Sequence, residues 1–179
     1  TVVVTIDVSR SMRSQDVSPS RIEAAQQAAK EFVDMLPETF NVALVTFSGT
    51  TSIMAAPTLD RGAVKRAIDS LELAPATAIG EGIYTSLDAL LLAPPDPDHP
   101  DDPAPGAIIL LSDGYTNIGR DSATAAQAAK DQGVPVYTIA YGTPGGYVYE
   151  EGVRVPVPVN HAELARVAQI SGGKKYAAE

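Results

Sequence analysis

Four short runs of branched apolar residues alternate along the chain with segments of helical periodicity: VVVTI at 2–6, NVALVTF at 41–47, AIILLS at 107–112 and PVYTIAY at 135–141. No other feature limits the fold so strongly. A strand that is apolar at nearly every position must be covered on both faces, as parallel strands beneath helices are. Strand–helix alternation therefore predicts an α/β chain: a doubly wound, mostly parallel, Rossmann-like sheet of order 3-2-1-4-5-6 with helices on both faces.

The intervening segments supply those helices. Residues 19–36 place Ile22, Ala25, Ala29, Phe32, Val33 and Leu36 at three- and four-residue spacing. Either Ser18 with Pro19 or Ser20 with Glu23 marks the start. Further helices are predicted over 60–72, over 78–92 with Ile79, Ile83, Leu87, Leu90 and Leu91 inward, over 121–132, and over 160–171 between Asn160 and Gly172. Residues 51–55 follow their predecessor too closely for a helical crossover and are expected as a short antiparallel edge strand. A small hairpin is predicted over 147–157, turning near Glu151 and Gly152, and a last short strand over 174–177. The stretch 93–106, APPDPDHPDDPAPG, excludes a helix or a central strand and reads as a solvated acidic loop without calcium-loop spacing.

The 179 residues suit one domain, 1–179. The chain opens on Thr1 with an apolar run at once, so it is expected to be part of a longer protein whose anchor or targeting signal lies elsewhere. No segment is apolar for the ~20 residues that a membrane helix needs, so the fragment itself is not expected to insert. A net charge of −9 argues against nucleic acid or an anionic membrane surface as a ligand. With no cysteine there is no thiolate metal site.

Ligands of open parallel sheets bind beyond the carboxyl ends of the strands where the strand order reverses. In this order the crevice lies between the first strand and the strand at 107–112. The loops facing it are DVSRS at 7–11 and DGYTN at 113–117, each opening on an aspartate. Asp7, Ser9, Ser11 and Asp113 are all hard oxygen donors, which select Mg²⁺, Mn²⁺ or Ca²⁺ over zinc or copper. Two carboxylates roughly neutralise such an ion, and hydroxyls leave it able to attract one more carboxylate from outside.

DVSRS at 7–11, Thr77 in PATAIG and Asp113 in LLSDG together resemble the three-part metal-ion-dependent adhesion site of von Willebrand factor type A domains, in the right order and with matching elements over nearly the whole chain. The resemblance implies that Ser9, Ser11 and Thr77 offer hydroxyls to one ion, probed first as Mg²⁺, and that Asp7 and Asp113 bind it directly or through water. It implies a protein partner that completes the shell with an acidic side chain. Two departures stand out. Arg10 replaces a common glycine and should point away from the ion, and Ala76 replaces a common glycine before Thr77 and should stiffen that loop. SPSRIEAAQ at 18–26 and DQGVPVYTIAYGT at 131–143 look like bacterial membrane-anchored type A proteins of the aerotolerance type and of an uncharacterised actinobacterial group. That likeness implies a soluble domain of a membrane-anchored parent, on a side of the membrane left open, with a MoxR-type AAA+ ATPase or other type A proteins as partners.

Asp16 and Asn117 share the two loops and are candidates to support the ligands, while Arg10 and Tyr115 are candidates to touch the partner. Glu81 is read as stabilising a helix dipole, and His99 and His161 as solvated surface. Two other readings stay open beside metal-dependent protein binding. One is an Mg²⁺-dependent hydrolase or phosphatase, although the D-x-D signature, the nucleophile elbow and the phosphate loops are all missing. The other is a domain whose metal only stabilises it.

Overall fold

The computed structural model describes residues 1–102 and 105–178. Four buried strands form the centre of the sheet: β1 (Val2–Asp7), β2 (Val42–Phe47), β4 (Ala107–Ser112) and β5 (Val136–Tyr141). The edges are β3 (Thr51–Thr58) and β8 (Lys175–Ala178). The order is β3-β2-β1-β4-β5-β8, and every pairing is parallel except β2 with β3. This is the doubly wound sheet that the alternation predicts. The remaining strands, β6 (Tyr147–Glu150) and β7 (Val153–Pro156), form a separate antiparallel ribbon that turns at Glu151 and Gly152.

Successive residues of a strand face opposite sides, so each central strand feeds two cores. On one side Val3, Val45, Phe47, Ile108 and Leu110 pack under α3 (Ile79–Leu90), α4 (Ser122–Asp131) and α5 (His161–Ser171). On the other, Val4, Ile6, Leu44 and Leu111 pack under α1 (Arg21–Met35) and α2 (Arg61–Asp69). Each large apolar side chain taken fully out of water contributes roughly 1.5–3 kcal/mol.

Side-chain caps set most helix starts. The Oγ of Ser20 accepts the Glu23 amide at 3.2 Å, so α1 opens at the second of its two candidate caps. Asp60, Asp121 and Asn160 cap α2, α4 and α5 in the same way.

Three expectations are corrected in detail. The edge strand β3 runs eight residues and includes Pro57, because an edge strand needs no ladder donor at every position. Leu91 is 78% exposed rather than inward. The helix ends at Leu90, and amides 91–93 bond to carbonyls three residues back, which tightens the last turn and rotates Leu91 off the buried stripe. The inner stripe of α1 is Arg21, Ala25, Ala29 and Val33, and it begins with a charged residue. In the acidic loop, Asp96 accepts the Asp98 amide and bonds His99, and the chain there is largely exposed. Positions 103–104 of that loop lie outside the described residues.

Candidate metal centre

The strand order reverses between β1 and β4, which are parallel neighbours. Asp7 is the last residue of β1, and Asp113 follows the last residue of β4. Both side chains are fully buried at the mouth of the crevice. After Asp7 the chain enters a short 3-10 turn, Arg10–Arg13, that folds Ser9 and Ser11 back over the strand ends.

These groups form one connected cluster. Asp7 accepts the Ser9 amide at 2.8 Å on one oxygen and the Ser112 hydroxyl at 2.6 Å on the other. The Ser9 and Ser11 hydroxyls lie 3.1 Å apart. The Ser11 hydroxyl donates to Oδ2 of Asp113, whose Oδ1 accepts the Tyr115 amide at 3.1 Å. Gly114 must be glycine, since it sits at φ +80° and a Cβ there would strike the Asn160 carbonyl.

Thr77 comes from a third loop to the same end of the sheet. The Ala74 amide donates to the Val8 carbonyl at 2.8 Å, which fastens that loop beside the β1 turn. Asn117 accepts the Thr77 amide and donates its own amide to the Thr77 carbonyl, both at 3.0 Å. Ala76, just before it, lies at φ +65°, a left-handed conformation that costs an L-residue roughly 1–2 kcal/mol. That conformation explains why glycine suits the position. Glu81, in the first turn of α3, clamps Arg120 with contacts of 2.8 Å to Nε and Nη2 and accepts its amide at 3.0 Å. Those bonds, with the Arg120 charge, hold its carboxyl down at about 2. The 116–121 loop is thereby pinned to α3, a role beyond the dipole.

The electrostatics ask for positive charge. Burial, with the like charge of Asp113 beside it, pushes the Asp7 carboxyl up to about 7 against the bonds from Ser112 and Ser9. Burial also raises Asp113, opposed by the Ser11 hydroxyl, the Tyr115 amide and the guanidinium of Arg21. Among the described residues no three His, Cys, Asp or Glu side chains cluster as a metal cage. The acids at this centre number two, and hydroxyls make up the set. Two buried carboxylates with neighbouring hydroxyls and no sulfur or imidazole are a donor set suited to a small hard divalent cation.

The other candidates separate. Arg10 is exposed, and Tyr115 is half-exposed beside the crevice. Asn117 supports Thr77 directly. Asp16 touches neither acid and reaches Asp113 only through Arg21, which bonds Asp16 at 2.7 and 2.8 Å and Asp113 at 3.2 Å.

Arg21 bonds Asp113 and Ser112 bonds Asp7, and sequence reasoning missed both. Arg21 left a signal, because it continues the four-residue steps of Ala25, Ala29 and Val33 onto the buried face. Ser112 is simply the polar last residue of an apolar strand and left none.

The family model described as the von Willebrand factor type A domain matches residues 2–116. The chain belongs to the von Willebrand factor type A family. A UPF0353 protein of Mycolicibacterium vanbaalenii is 44% identical over 183 residues, covering 99% of this type A domain and 55% of the relative. The chain thus spans about half the length of the curated relatives it matches. Among solved structures, the conserved hypothetical protein BatB of Bacteroides thetaiotaomicron superposes with a TM-score of 0.86 at 26% identity, covering 99% and 89% of the two chains. An aerotolerance-related membrane protein of Bacteroides fragilis gives 0.87 at 24%, covering 99% and 90%. These likenesses fall in the bacterial branch that SPSRIEAAQ and DQGVPVYTIAYGT resemble. Among the described residues of this type A domain no helix is long and apolar enough to cross a membrane.

Proposed function

We propose that this type A domain holds one divalent cation, Mg²⁺ in preference to Mn²⁺ or Ca²⁺, through Asp7, Ser9, Ser11, Thr77 and Asp113, and uses it to bind a carboxylate-bearing protein partner. The observation that carries the reading is the meeting of two fully buried carboxylates, from strands a hundred residues apart in sequence, with the Ser9 and Ser11 hydroxyls between them. Arg21 is shared between Asp113 and Asp16, so the buried like-charged pair stays costly unless a further cation neutralises it. Few carboxylates and several neutral oxygens suit Mg²⁺, which keeps part of its water shell. When bound, the ion supplies an electrophilic position for an incoming carboxylate.

The protein's own residues prepare that position. Ser112 and the Ser9 amide orient Asp7, Asn117 fixes Thr77, and the Tyr115 amide orients Asp113. Arg10 and Tyr115 flank the mouth and contact the partner. The parent protein is membrane-anchored, and its partners are a MoxR-type AAA+ ATPase or other type A domains.

Calorimetric titration with Mg²⁺ should give one site in the wild type and none in Asp7→Ala or Asp113→Ala, with the fold checked by circular dichroism. Pull-downs from source-cell extract should capture a partner in Mg²⁺ and lose it in EDTA. Capture unaffected by EDTA would sink the reading. Mg²⁺-dependent turnover of phosphoesters would favour a hydrolase instead, and Mg²⁺ stabilisation without any effect on capture would leave a purely structural ion.

A further inference from the structure

Arg21 is a fully buried guanidinium held by three different parts of the chain. Its Nη1 donates to Asp113 at 3.2 Å, its Nε and Nη2 to Asp16, and its Nη2 also to the Val157 carbonyl at 2.6 Å. Asp16 in turn accepts the amide of Thr143 at 2.7 Å and its hydroxyl at 3.0 Å. Gly146 closes the packing, since a Cβ there would run into Nη2 of Arg21 and the Asp16 carboxylate. One cation therefore joins a carboxylate of the metal centre to both ends of the segment 143–157, which contains the β6–β7 ribbon. That ribbon and the 3-10 turn wall a groove of about 540 Å³ lined by Arg13, Ser14, Gln15, Asp16, Tyr147 and Tyr149.

We propose that Arg21 couples occupancy of the metal centre to the seating of the 143–157 segment. The inference rests on the metal reading above and adds a positioning residue to it. Among the described residues Arg21 is the only cation bonded to Asp113. A divalent ion on Asp113 competes with it and repels it. Arg21 then gives up its long contact to Asp113 and keeps the shorter ones to Asp16 and the Val157 carbonyl, which tightens the segment. By linkage, whatever seats the ribbon more firmly, such as a partner lying in the groove, must strengthen metal binding by the same factor.

The test is hydrogen exchange of the wild-type domain with and without saturating Mg²⁺, alongside Mg²⁺ titrations of Arg21→Gln and Asp16→Asn. Mg²⁺ should slow exchange across 143–157 at least threefold. Arg21→Gln should tighten Mg²⁺ at least threefold, because a competing charge is gone. Asp16→Asn should weaken it by a similar factor, because Arg21 then leans wholly on Asp113. An arginine that only packs the core would lower thermal stability in both variants without moving Mg²⁺ affinity in opposite directions. Unchanged or faster exchange at 143–157 in wild type that calorimetry shows to be loaded overturns the coupling and leaves the metal site standing. Absence of Mg²⁺ binding overturns both. The wild-type comparison decides even where a variant fails to fold.

Discussion

Thr77 and Asn117 hold each other twice: the Thr77 amide donates to Oδ1 of Asn117, and the Asn117 amide donates to the Thr77 carbonyl, each at 3.0 Å. Thr77 is the proposed ligand that comes from neither strand end, so its place depends on this bond pair between loops. Asn117→Ala removes the side-chain half. Groups that orient metal ligands are commonly worth about 10–100-fold in affinity, so Mg²⁺ binding should weaken by roughly tenfold. Asn117→Asp keeps the acceptor and should fall between. Calorimetry reads both.

Ala76 offers a substitution that goes against the usual rule. Alanine to glycine normally destabilises by raising the entropy of the unfolded chain. Here φ +65° strains alanine, and relief of that strain outweighs the entropy term. Ala76→Gly should stabilise the domain by roughly 0.5–1 kcal/mol, read as a higher urea midpoint at unchanged slope. A loss of stability would show that the loop relieves the strain in another way.

Ser112 has a buried hydroxyl with two obligations: it donates to Asp7 at 2.6 Å and accepts the Gly114 amide at 3.0 Å. Ser112→Ala leaves both partners short in a place without solvent. Such orphaned buried groups cost about 1–3 kcal/mol each, so a loss of roughly 2–3 kcal/mol is expected in the metal-free protein. Chemical denaturation in EDTA measures it.

Asp16 should make the domain acid-sensitive. Burial alone would raise its carboxyl, but the bonds from Arg21 and Thr143 and the Arg21 charge outweigh that and hold it well below the usual carboxylate range. A folded-state pKa below the unfolded one gives stability that is fully present above about pH 4 and is lost as pH falls below that. Asp16→Asn should therefore cost roughly 2–3 kcal/mol at pH 7, and its deficit against wild type should shrink as pH drops toward 3. A deficit independent of pH would mean that the contribution is steric rather than ionic.

The clamp between Glu81 and Arg120 looks strong in bond lengths but sits in solvent, with Arg120 61% exposed. Exposed pairs are worth well under a few kcal/mol and are screened by salt. Glu81→Gln should cost less than about 1 kcal/mol, and the cost should shrink further in 1 M salt. A thermal shift series over salt concentration checks it.

Much of the fold is readable in the chain. Apolar runs at 2–6, 41–47, 107–112 and 135–141 point to strands covered on both faces, and their alternation with helical segments makes them parallel. Once the strand order follows, the position of the crevice follows too, and DVSRS and DGYTN fall on it. Asn160 marks the start of the last helix by local chemistry alone, and its side chain accepts the Glu163 amide there. Leu91 departs from the expected stripe because helical phase holds only while the helix does, and the last turn tightens.

The sequence by itself determined the doubly wound sheet and the end of it at which the 7–11 and 113–117 loops meet, since both depend on local periodicity and on strand termini. Only the tertiary structure decided how charge is balanced at that end. Arg21 stands five residues from Asp16 and ninety-two from Asp113, and it bonds both because α1 packs its first turn under the β1–β4 mouth. Ser112 likewise gains its task only when β4 lies beside β1. Long-range ion pairs of this kind leave no period in a sequence, because the distance that makes them exists only after the sheet has closed.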